Sequence, residues 1–209
     1  MANSKKVMFA FAIFLLIILF LLIVFAISLT ENASFDANLT NVGFGTIAFG
    51  DVNNDNLSDL IVTGCLGGVS GQNCNGGTIA KIYTNNGTGL NENISFDFNL
   101  TGIGHGSVAW GDINNDGYLD LVLAGCTSAT SASGCTGSRI AKVYINNRTS
   151  LNENASWQQN LTGAWSSNLA LSDVDNDGRL DLALMGQSQD LGGQIFKIYI
   201  NNGTSLIDQ

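Results

Sequence analysis

The sequence has few basic residues and no cluster of them. The whole chain has 8 Lys and Arg against 17 Asp and Glu. Only six of the basic residues lie beyond Ser28, whereas all of the acidic residues do, so this part of the chain is strongly acidic. A chain without a basic patch cannot neutralise phosphates, which argues against a nucleic-acid partner and against attraction to an anionic membrane surface.

The sequence also has little that could perform catalysis. His105 is the only histidine, it lies between two glycines, and no Ser or Cys beside it suggests a nucleophile. The acidic residues outside the three loops described below mostly recur with the internal repeat, whereas a catalytic carboxylate pair should break it. We therefore expect no enzymatic activity and no catalytic residue.

Long apolar runs are confined to the amino terminus. The run from Val7 to Ile27 contains no polar side chain and is preceded by Lys5 and Lys6. It is long enough to cross a bilayer core as a helix, and the lysines favour the cytoplasmic side. We predict a cytoplasmic tail at residues 1–6, an uncleaved signal anchor at 7–28 and an extracellular domain at 29–209, in a single-pass protein of the cell membrane. A signal peptide cleaved near Ser28 is the alternative.

Three acidic loops of nine residues begin at equal intervals along the chain, at Asp51, Asp112 and Asp173. Each has oxygen-bearing side chains at positions 1, 3, 5 and 9, as a hard cation with six to eight oxygen ligands requires. Position 6 is Asn or Gly, which tolerate left-handed backbone. An EF-hand would need Glu at position 12, where this chain has Val or Leu. Turns rich in Asn and Asp without a metal are the alternative.

The repetition favours Ca²⁺, with one site in each loop. Position 7 would contribute its backbone carbonyl. The predicted ligands are Asp51, Asn53, Asp55, Leu57, Asp59, Asp112, Asn114, Asp116, Tyr118, Asp120, Asp173, Asp175, Asp177, Arg179 and Asp181.

The four cysteines form two pairs with the same spacing. Cys65 and Cys74 bracket eight residues, as do Cys126 and Cys135, and the two pairs are offset by the same interval as the loops. We predict one disulfide within each pair, in agreement with export from the cell. Four buried thiols are the alternative, whereas a zinc site would need closer Cys or His spacing. The third copy lacks the pair and has Gln187 in the first column.

The chain is predicted to be all-β, with three similar repeats at approximately 31–91, 92–152 and 153–209. In the first repeat the pattern indicates four short strands, and no amphipathic helix is predicted. The second strands are continuously apolar, which suits strands buried on both faces. The predicted strands are Gly45 to Phe49, Leu60 to Thr63, Ile79 to Thr84, and Ile94 to Asn99.

The repeats resemble the FG-GAP family of integrin α-chain propellers and prokaryotic surface proteins. The resemblance rests on Phe44 to Gly50 and Gly106 to Gly111 before their loops, the Asp-Leu pair that ends each loop, and the tyrosine column that includes Tyr83. The third copy departs from the pattern at 169–172. The resemblance implies four-stranded β-propeller blades with a structural Ca²⁺ between the first two strands of each.

The resemblance also implies that partners bind at the face opposite the calcium loops. Phe44, His105 and Ser166 occupy one repeat column there, together with the cysteine-bracketed loops. A recognition role and a plain structural role are both open for this column.

Asn-x-Ser/Thr sites occur ten times and mostly recur with the repeat. Asn56 is the tenth site, but inside a calcium loop it should be a poor acceptor. Ordinary polar turn residues are the alternative to glycosylation. The predicted glycosylation sites are Asn32, Asn38, Asn86, Asn93, Asn99, Asn147, Asn154, Asn160 and Asn202.

Together these features predict a membrane-anchored, calcium-binding propeller module for adhesion or surface recognition, with an extracellular protein or glycan as ligand. The alternative is a structural subunit of a cell-surface layer or filament. Three blades are fewer than the four to eight that close a propeller, so other copies or further blades would complete the ring.

Overall fold

The computed structural model describes residues 32–67, 74–131, 134–188 and 192–208. The predicted cytoplasmic tail at 1–6 and the signal anchor at 7–28 lie outside these residues. Within the described ranges, no helix is both long enough and apolar enough to span a membrane.

The described strands form three four-stranded antiparallel sheets and one two-stranded ribbon. This confirms the prediction of an all-β chain built from four-stranded repeats. The strands are β1 (Gly43–Gly50), β2 (Asp59–Cys65), β3 (Thr78–Asn85) and β4 (Leu90–Glu92) in the first sheet; β5 (Gly104–Gly111), β6 (Asp120–Cys126), β9 (Arg139–Asn146) and β10 (Leu151–Glu153) in the second; β11 (Trp165–Ser172), β12 (Asp181–Ser188), β13 (Gly193–Asn201) and β14 (Leu206–Asp208) in the third; and β7 (Ala129–Ser131) and β8 (Gly134–Cys135) in the ribbon.

The second strand of each sheet lies between the first and third strands, and in the first two sheets it is buried on both faces. All seven residues of β2 and of β6 are buried. Leu60 pairs with Phe49 on one side and with Tyr83 on the other. The continuous apolar run predicted this placement, because a central strand packed on both faces needs no polar alternation.

The sheets pack side by side, with β5 in contact with both β1 and β11. One buried cluster joins the first and second sheets, and another joins the second and third. We call each sheet and the segment that precedes it a blade: blade 1 is residues 33–92, blade 2 is 94–153 and blade 3 is 155–208. The described residues form an open array, since apolar side chains remain exposed at both of its ends.

A short helix lies where the sequence pattern predicted the fourth strand. That strand prediction, Ile94 to Asn99, was wrong, because residues Ile94–Asp97 are helical and the fourth strand is Leu90–Glu92. The Asn93 side chain caps the helix by accepting the N–H of Ser95 at 3.2 Å. The other three predicted strands are confirmed. The helices are α1 (Ala33–Asp36), α2 (Ile94–Asp97) and α3 (Ala155–Gln158).

A buried tyrosine fixes the segment between each helix and the first strand of the same blade. The hydroxyl of Tyr144 accepts the N–H of Thr101 at 3.0 Å. Tyr83 and Tyr199 make the same bond, with Thr40 and Thr162. All three tyrosines are fully buried, so each blade presents its first strand in the same position.

Candidate functional site

The three acidic loops connect the first and second strands of the blades and lie at one edge of the array. Each spans eight residues between paired ends, as in the middle blade, where Gly111 pairs with Asp120. We call this the loop edge. The same connection recurs with Gly50 and Asp59 in blade 1, and with Ser172 and Asp181 in blade 3.

Each loop wraps around its own carboxylates. In the middle loop, the Asp112 carboxylate accepts the N–H of Asp116 at 2.9 Å and that of Gly117 at 2.8 Å. The Asp116 carboxylate in turn accepts the N–H of Tyr118 at 3.0 Å. Identical bonds form in the other two loops. The side chains at positions 1 and 5 are thereby held on the inside of the turn.

The backbone is left-handed at two positions of each loop. In the middle loop φ is 57° at Asn115 and 87° at Gly117. Position 6 was predicted to require this conformation, but position 4 was not. The signal was present, because Asn is among the residues that best tolerate positive φ and it occupies position 4 in all three copies.

The third loop brings three carboxylates together. Asp173, Asp175 and Asp177 each place an oxygen within 4.8 Å of the others. The Arg179 side chain forms an ion pair with Asp177. Three converging carboxylates suit a hard divalent cation, and one guanidinium neutralises only part of their charge. The oxygens of positions 1, 3 and 5 of this loop are therefore close enough together to contact one cation.

The first two loops have an amide at position 3 in place of the third carboxylate. Asn53 donates to Asp55 at 2.9 Å, and Asn114 donates to Asp116 at 3.0 Å. Positions 3 and 5 are thus neighbours in these loops as well. Each of them offers one carboxylate fewer to a cation than the third loop does.

The aspartate at position 9 lies beneath its loop. Asp120 is fully buried, and its carboxylate accepts the N–H of Ile113 at 2.9 Å and of Asn146 at 2.8 Å. Burial raises the pKa of Asp120 to about 6, against the opposing effect of these hydrogen bonds. Asp59 and Asp181 make the same pair of bonds, and Asp181 lies outside the group of three converging carboxylates. Position 9 therefore ties the loop to the third strand.

In the second and third loops, the residue at position 7, whose backbone carbonyl is a predicted ligand, directs its side chain to a neighbouring segment. The Arg148 guanidinium lies 4.9 Å from the centre of the Tyr118 ring. The Nε of Arg179 donates to the carbonyl of Asn201 at 2.7 Å. These contacts hold the outer part of the loop against the turn between the third and fourth strands.

Hydrogen bonds connect the first loop to the second and the second loop to the third. The Asn54 side chain donates to the carbonyl of Gly117 at 2.9 Å, and the Asn115 side chain donates to that of Gly178 at 3.2 Å. The asparagine at position 4 therefore has two roles, since it adopts the left-handed backbone and crosses to the next blade. No sequence pattern indicated the second role.

A second asparagine crosses between blades from the end of the third strand. Asn146 donates to the carbonyl of Val52 in blade 1 at 2.8 Å and to that of Leu119 in its own blade at 3.1 Å. Asn201 makes both bonds in blade 3. The loop edge is thus one laterally connected row rather than three separate turns.

The opposite edge carries the disulfides, and we call it the disulfide edge. Cys65 is bonded to Cys74, and Cys126 to Cys135, which confirms both predicted pairs. Gly104, next to His105, pairs with Cys126 in the sheet. The residue column predicted to lie opposite the calcium loops is therefore placed there.

That column sits on a backbone irregularity in each first strand. Phe44, His105 and Ser166 have φ values of 49°, 49° and 44°, and the strand register shifts at each of them. The Phe44 ring stacks on the His105 ring, with centroids 4.4 Å apart. The His105 ring meets Trp165 edge-on at 6.0 Å. An aromatic row thus crosses the three blades, and Trp165 was missed because it lies one residue outside the column.

Two polar ring atoms in this row are buried without a hydrogen bond among the described residues: Nε2 of His105 and Nε1 of Trp165. Burial lowers the pKa of His105 below its ordinary value. The imidazole is therefore favoured in its neutral form.

All the predicted glycosylation sites except Asn32 fall into two structural groups. Asn93, Asn154 and the turn residues such as Asn86 use the side-chain oxygen as an acceptor, and their amide nitrogens make no hydrogen bond within the described part of the chain. Asn38, Asn99 and Asn160 instead donate from that nitrogen. The first group is the better suited to carry a glycan, which attaches at the nitrogen.

Comparison with curated proteins found no match. A solved structure of an Agrocybe aegerita lectin, described as recognising non-reducing terminal N-acetylglucosamine, is similar at 16% identity and a TM-score of 0.45, over 78% of this chain and 37% of the lectin chain. The chain thus spans well under half of that lectin's length. Residues 51–123 match the family model described as FG-GAP-like repeat, which confirms the predicted resemblance over this part of the chain.

Proposed function

We propose that the chain is a calcium-stabilised module for adhesion or recognition at the cell surface. The loop edge binds Ca²⁺, and the disulfide edge contacts an extracellular protein or glycan. The observation that carries the proposal is the convergence of carboxylates at positions 1, 3 and 5 of the third loop, within 4.8 Å of one another.

Calcium at the loop edge has a structural role in this proposal. The ion would be held by the oxygens of positions 1, 3 and 5 and the carbonyl of position 7, and it would offset the repulsion between the carboxylates. Because Asn54 and Asn115 connect the loops in a row, an ion that stiffens one loop also restrains the next blade. The position 9 aspartate supports the loop from below.

Recognition is assigned to the disulfide edge, because that is where the repeats differ in chemistry. The exposed Phe44 ring, the half-buried His105 and the exposed Ser166 stand at equivalent positions. Cys126 and Cys135 close the adjoining loop of blade 2. An edge that places varied side chains on a repeated backbone suits selective binding of a partner.

The cell-surface location rests on the cysteines and the amino-terminal sequence. Disulfides persist in oxidising, extracellular environments. The apolar run at residues 7–27 provides an anchor with the lysines inside. Glycans on the predicted sites would cover the outer edge of the blades, where β4 and β10 lie at the sheet margin.

The proposal includes no catalytic step. His105 packs between Phe44 and Trp165, and burial disfavours its protonated form. That environment suits a packing or contact role better than proton transfer at neutral pH.

Calcium binding is tested by melting the full chain, in a mild detergent, with CaCl₂ and with EGTA. One site at about 100 times its dissociation constant should raise the melting temperature by about 5–10 °C. The test variant is Asp177→Asn in the third loop. The matched control is Asp36→Asn, which also removes one carboxylate but lies outside the loops. Only Asp177→Asn should reduce the calcium-dependent gain. Equal melting temperatures in CaCl₂ and EGTA would contradict the proposal.

A structural role in a surface layer or filament is the second candidate function. It requires the chain to associate with itself. The exposed apolar side chains at both ends of the blade array favour it.

A further inference from the structure

Blade 3 exposes residues whose equivalents are buried in blades 1 and 2. Val174 is 50% exposed, whereas Val52 and Ile113 are 0% and 1% exposed. Ile198 is 38% exposed, whereas its equivalents Ile82 and Val143 are fully buried. The difference arises because the following blade covers these positions in blades 1 and 2. We call this surface of blade 3 the end face; its members are Ser166, Val174, Met185, Phe196 and Ile198.

Blade 1 shows the complementary pattern at the other end of the array. Ile47 is 61% exposed, whereas its equivalents Val108 and Leu169 are 9% exposed. Phe49 is exposed, whereas Trp110 at the same position is half-buried. The preceding blade covers these positions in blades 2 and 3. We call this surface of blade 1 the start face; its members are Phe44, Ile47, Phe49 and Asn85.

The start face and the end face are the two halves of an interface that the chain already builds twice. We propose that the end face of one copy binds the start face of a second copy, head to tail. The internal interfaces show that equivalent surfaces bury an apolar core when they meet. This inference depends neither on calcium binding nor on a ligand at the disulfide edge, so its failure would leave that part of the proposed function intact.

The crossing asparagines support the same pairing. Asn54 and Asn115, with φ of 58° and 57°, donate to the next loop. Asn176 has the same backbone, with φ of 62°, yet its side chain has no partner among the described residues. In the proposed pair it would donate to the carbonyl of Asn56 in the second copy.

The asparagine at the end of the third strand also lacks its bond to a preceding blade at the start face. The Asn146 side chain donates across to blade 1 and within its own blade, but the Asn85 side chain donates, among the described residues, only to the carbonyl of Ser58 in its own blade. The missing bond would be to the carbonyl of Val174 in the preceding copy. Each end of the array therefore has one asparagine that does not make the bond between blades that its equivalents make inside the array.

A cleft in the end face accommodates the first aromatic residue of the start face. The cleft has a volume of about 600 Å³ and is lined by Ser166, Met185 and Phe196, among others. Within the chain, Phe44 of one blade stacks on His105 of the next. The residue at this position in blade 3 is the small Ser166. The Phe44 ring of a second copy would enter the cleft beside it.

The third interface cannot repeat the internal ones atom for atom. A Cβ added at Gly50 would lie 2.9 Å from the Trp110 ring, and blade 3 has Ser172 at this position. In the proposed pair Ser172 would meet Phe49 and Ser58, which stand where blade 2 has Trp110 and Leu119. Met185 and Phe196 are larger than the residues at the same positions in blades 1 and 2, and they supply apolar volume to this contact.

The test uses the full chain in a mild detergent, with its protein mass measured by size exclusion and light scattering. Wild type should have a mass of at least twice 22.0 kDa. Ile47→Asp at the start face and Phe196→Asp at the end face should each give a single copy. Phe98→Asp is the matched control, because Phe98 is exposed but lies on neither face. It should retain the wild-type mass.

Mixing the two variants shows whether the contact is head to tail. The Ile47→Asp copy keeps a working end face and the Phe196→Asp copy keeps a working start face, so the mixture should form a one-to-one pair. Circular dichroism of each variant should match wild type, because both substituted side chains are exposed. The inference would be overturned by a wild type with the mass of one copy or by association that persists in both variants. It would also be overturned by a mixture that stays at the mass of one copy.

Discussion

The loop edge and the disulfide edge come from the same repeat, yet the three copies agree at one edge and differ at the other. At the loop edge, positions 1, 5 and 9 are Asp in every copy, and the same backbone hydrogen bonds recur. At the disulfide edge, the equivalent residues are Phe44, His105 and Ser166, and blade 3 lacks the cysteine pair. One edge repeats a geometry, whereas the other places different side chains on a repeated backbone.

The difference follows from what each edge must satisfy. The carboxylates of the loop edge accept buried or inward-facing N–H groups, and an unsatisfied buried donor costs about 1–3 kcal/mol. At the disulfide edge the backbone has a positive φ at the column of Phe44, His105 and Ser166. The side chains of this column take no part in the pairing of the strands. The residue type therefore recurs where particular side-chain oxygens are needed as acceptors. It varies where only the backbone conformation is needed.

The largest expected effect comes from removing a buried carboxylate of the loop edge. Asp120→Ala should lower the free energy of unfolding by about 3–5 kcal/mol, because it leaves the N–H groups of Ile113 and Asn146 without an acceptor. Urea unfolding in EGTA measures this effect without any contribution from calcium. Asp116→Ala is the control, since Asp116 is exposed. Equal losses for the two variants would refute the supporting role of position 9.

An intermediate effect is expected at the disulfide edge. Replacing both Cys126 and Cys135 by Ser should lower the free energy of unfolding by about 2.5–3 kcal/mol, the chain-entropy value for a ten-residue loop. The gain in melting temperature from calcium should be unchanged, because the loops lie at the other edge. Thermal melts in CaCl₂ and EGTA measure both quantities. If the calcium-dependent gain were lost as well, the two edges would not be independent.

The smallest effect concerns His105. Burial lowers its folded pKa, so the folded protein takes up the proton less readily than the unfolded chain. The stability from this group should be fully present above the unfolded value of 6.5 and should fall as the pH drops through the folded pKa. Because the chain has one histidine, NMR titration of its ring protons reads the pKa directly.

The control for this titration is His105→Asn, which tolerates the positive φ of that position. The stability difference between wild type and this variant should shrink as the pH falls from 7 to 5. A His105 pKa at or above 6.5 would contradict the buried placement.

The repeat frame and most of the blade could be predicted from the sequence. The three loops, the first three strands and both disulfides follow from local signals: Asx spacing, continuous apolar runs and cysteine spacing. The fourth strand was misplaced, because Ile94 to Asn99 has an apolar pattern that fits a strand as well as a capped turn of helix. The capping bond from Asn93 decided between them.

Parts of the candidate site depend on residues that are distant in the sequence. Asn146 reaches Val52 across 94 positions, and the stack of Phe44 on His105 joins two blades. Position 9 fits a ligand role by its spacing, yet the fold places Asp120 against backbone N–H groups of two other segments. No local sequence pattern predicts such contacts.

The amino-acid sequence alone defines the repeating unit, because each of its signals acts over a few neighbouring residues: a strand, an acidic loop and a buried strand occur three times, and a cysteine-bracketed loop follows in the first two copies. How the units pack against one another depends on contacts between distant parts of the folded chain. Burial of Val52 and exposure of Val174 at equivalent positions depend on whether another blade covers them. The same side chain is core in one blade and open surface in another, because burial is a property of the packed array.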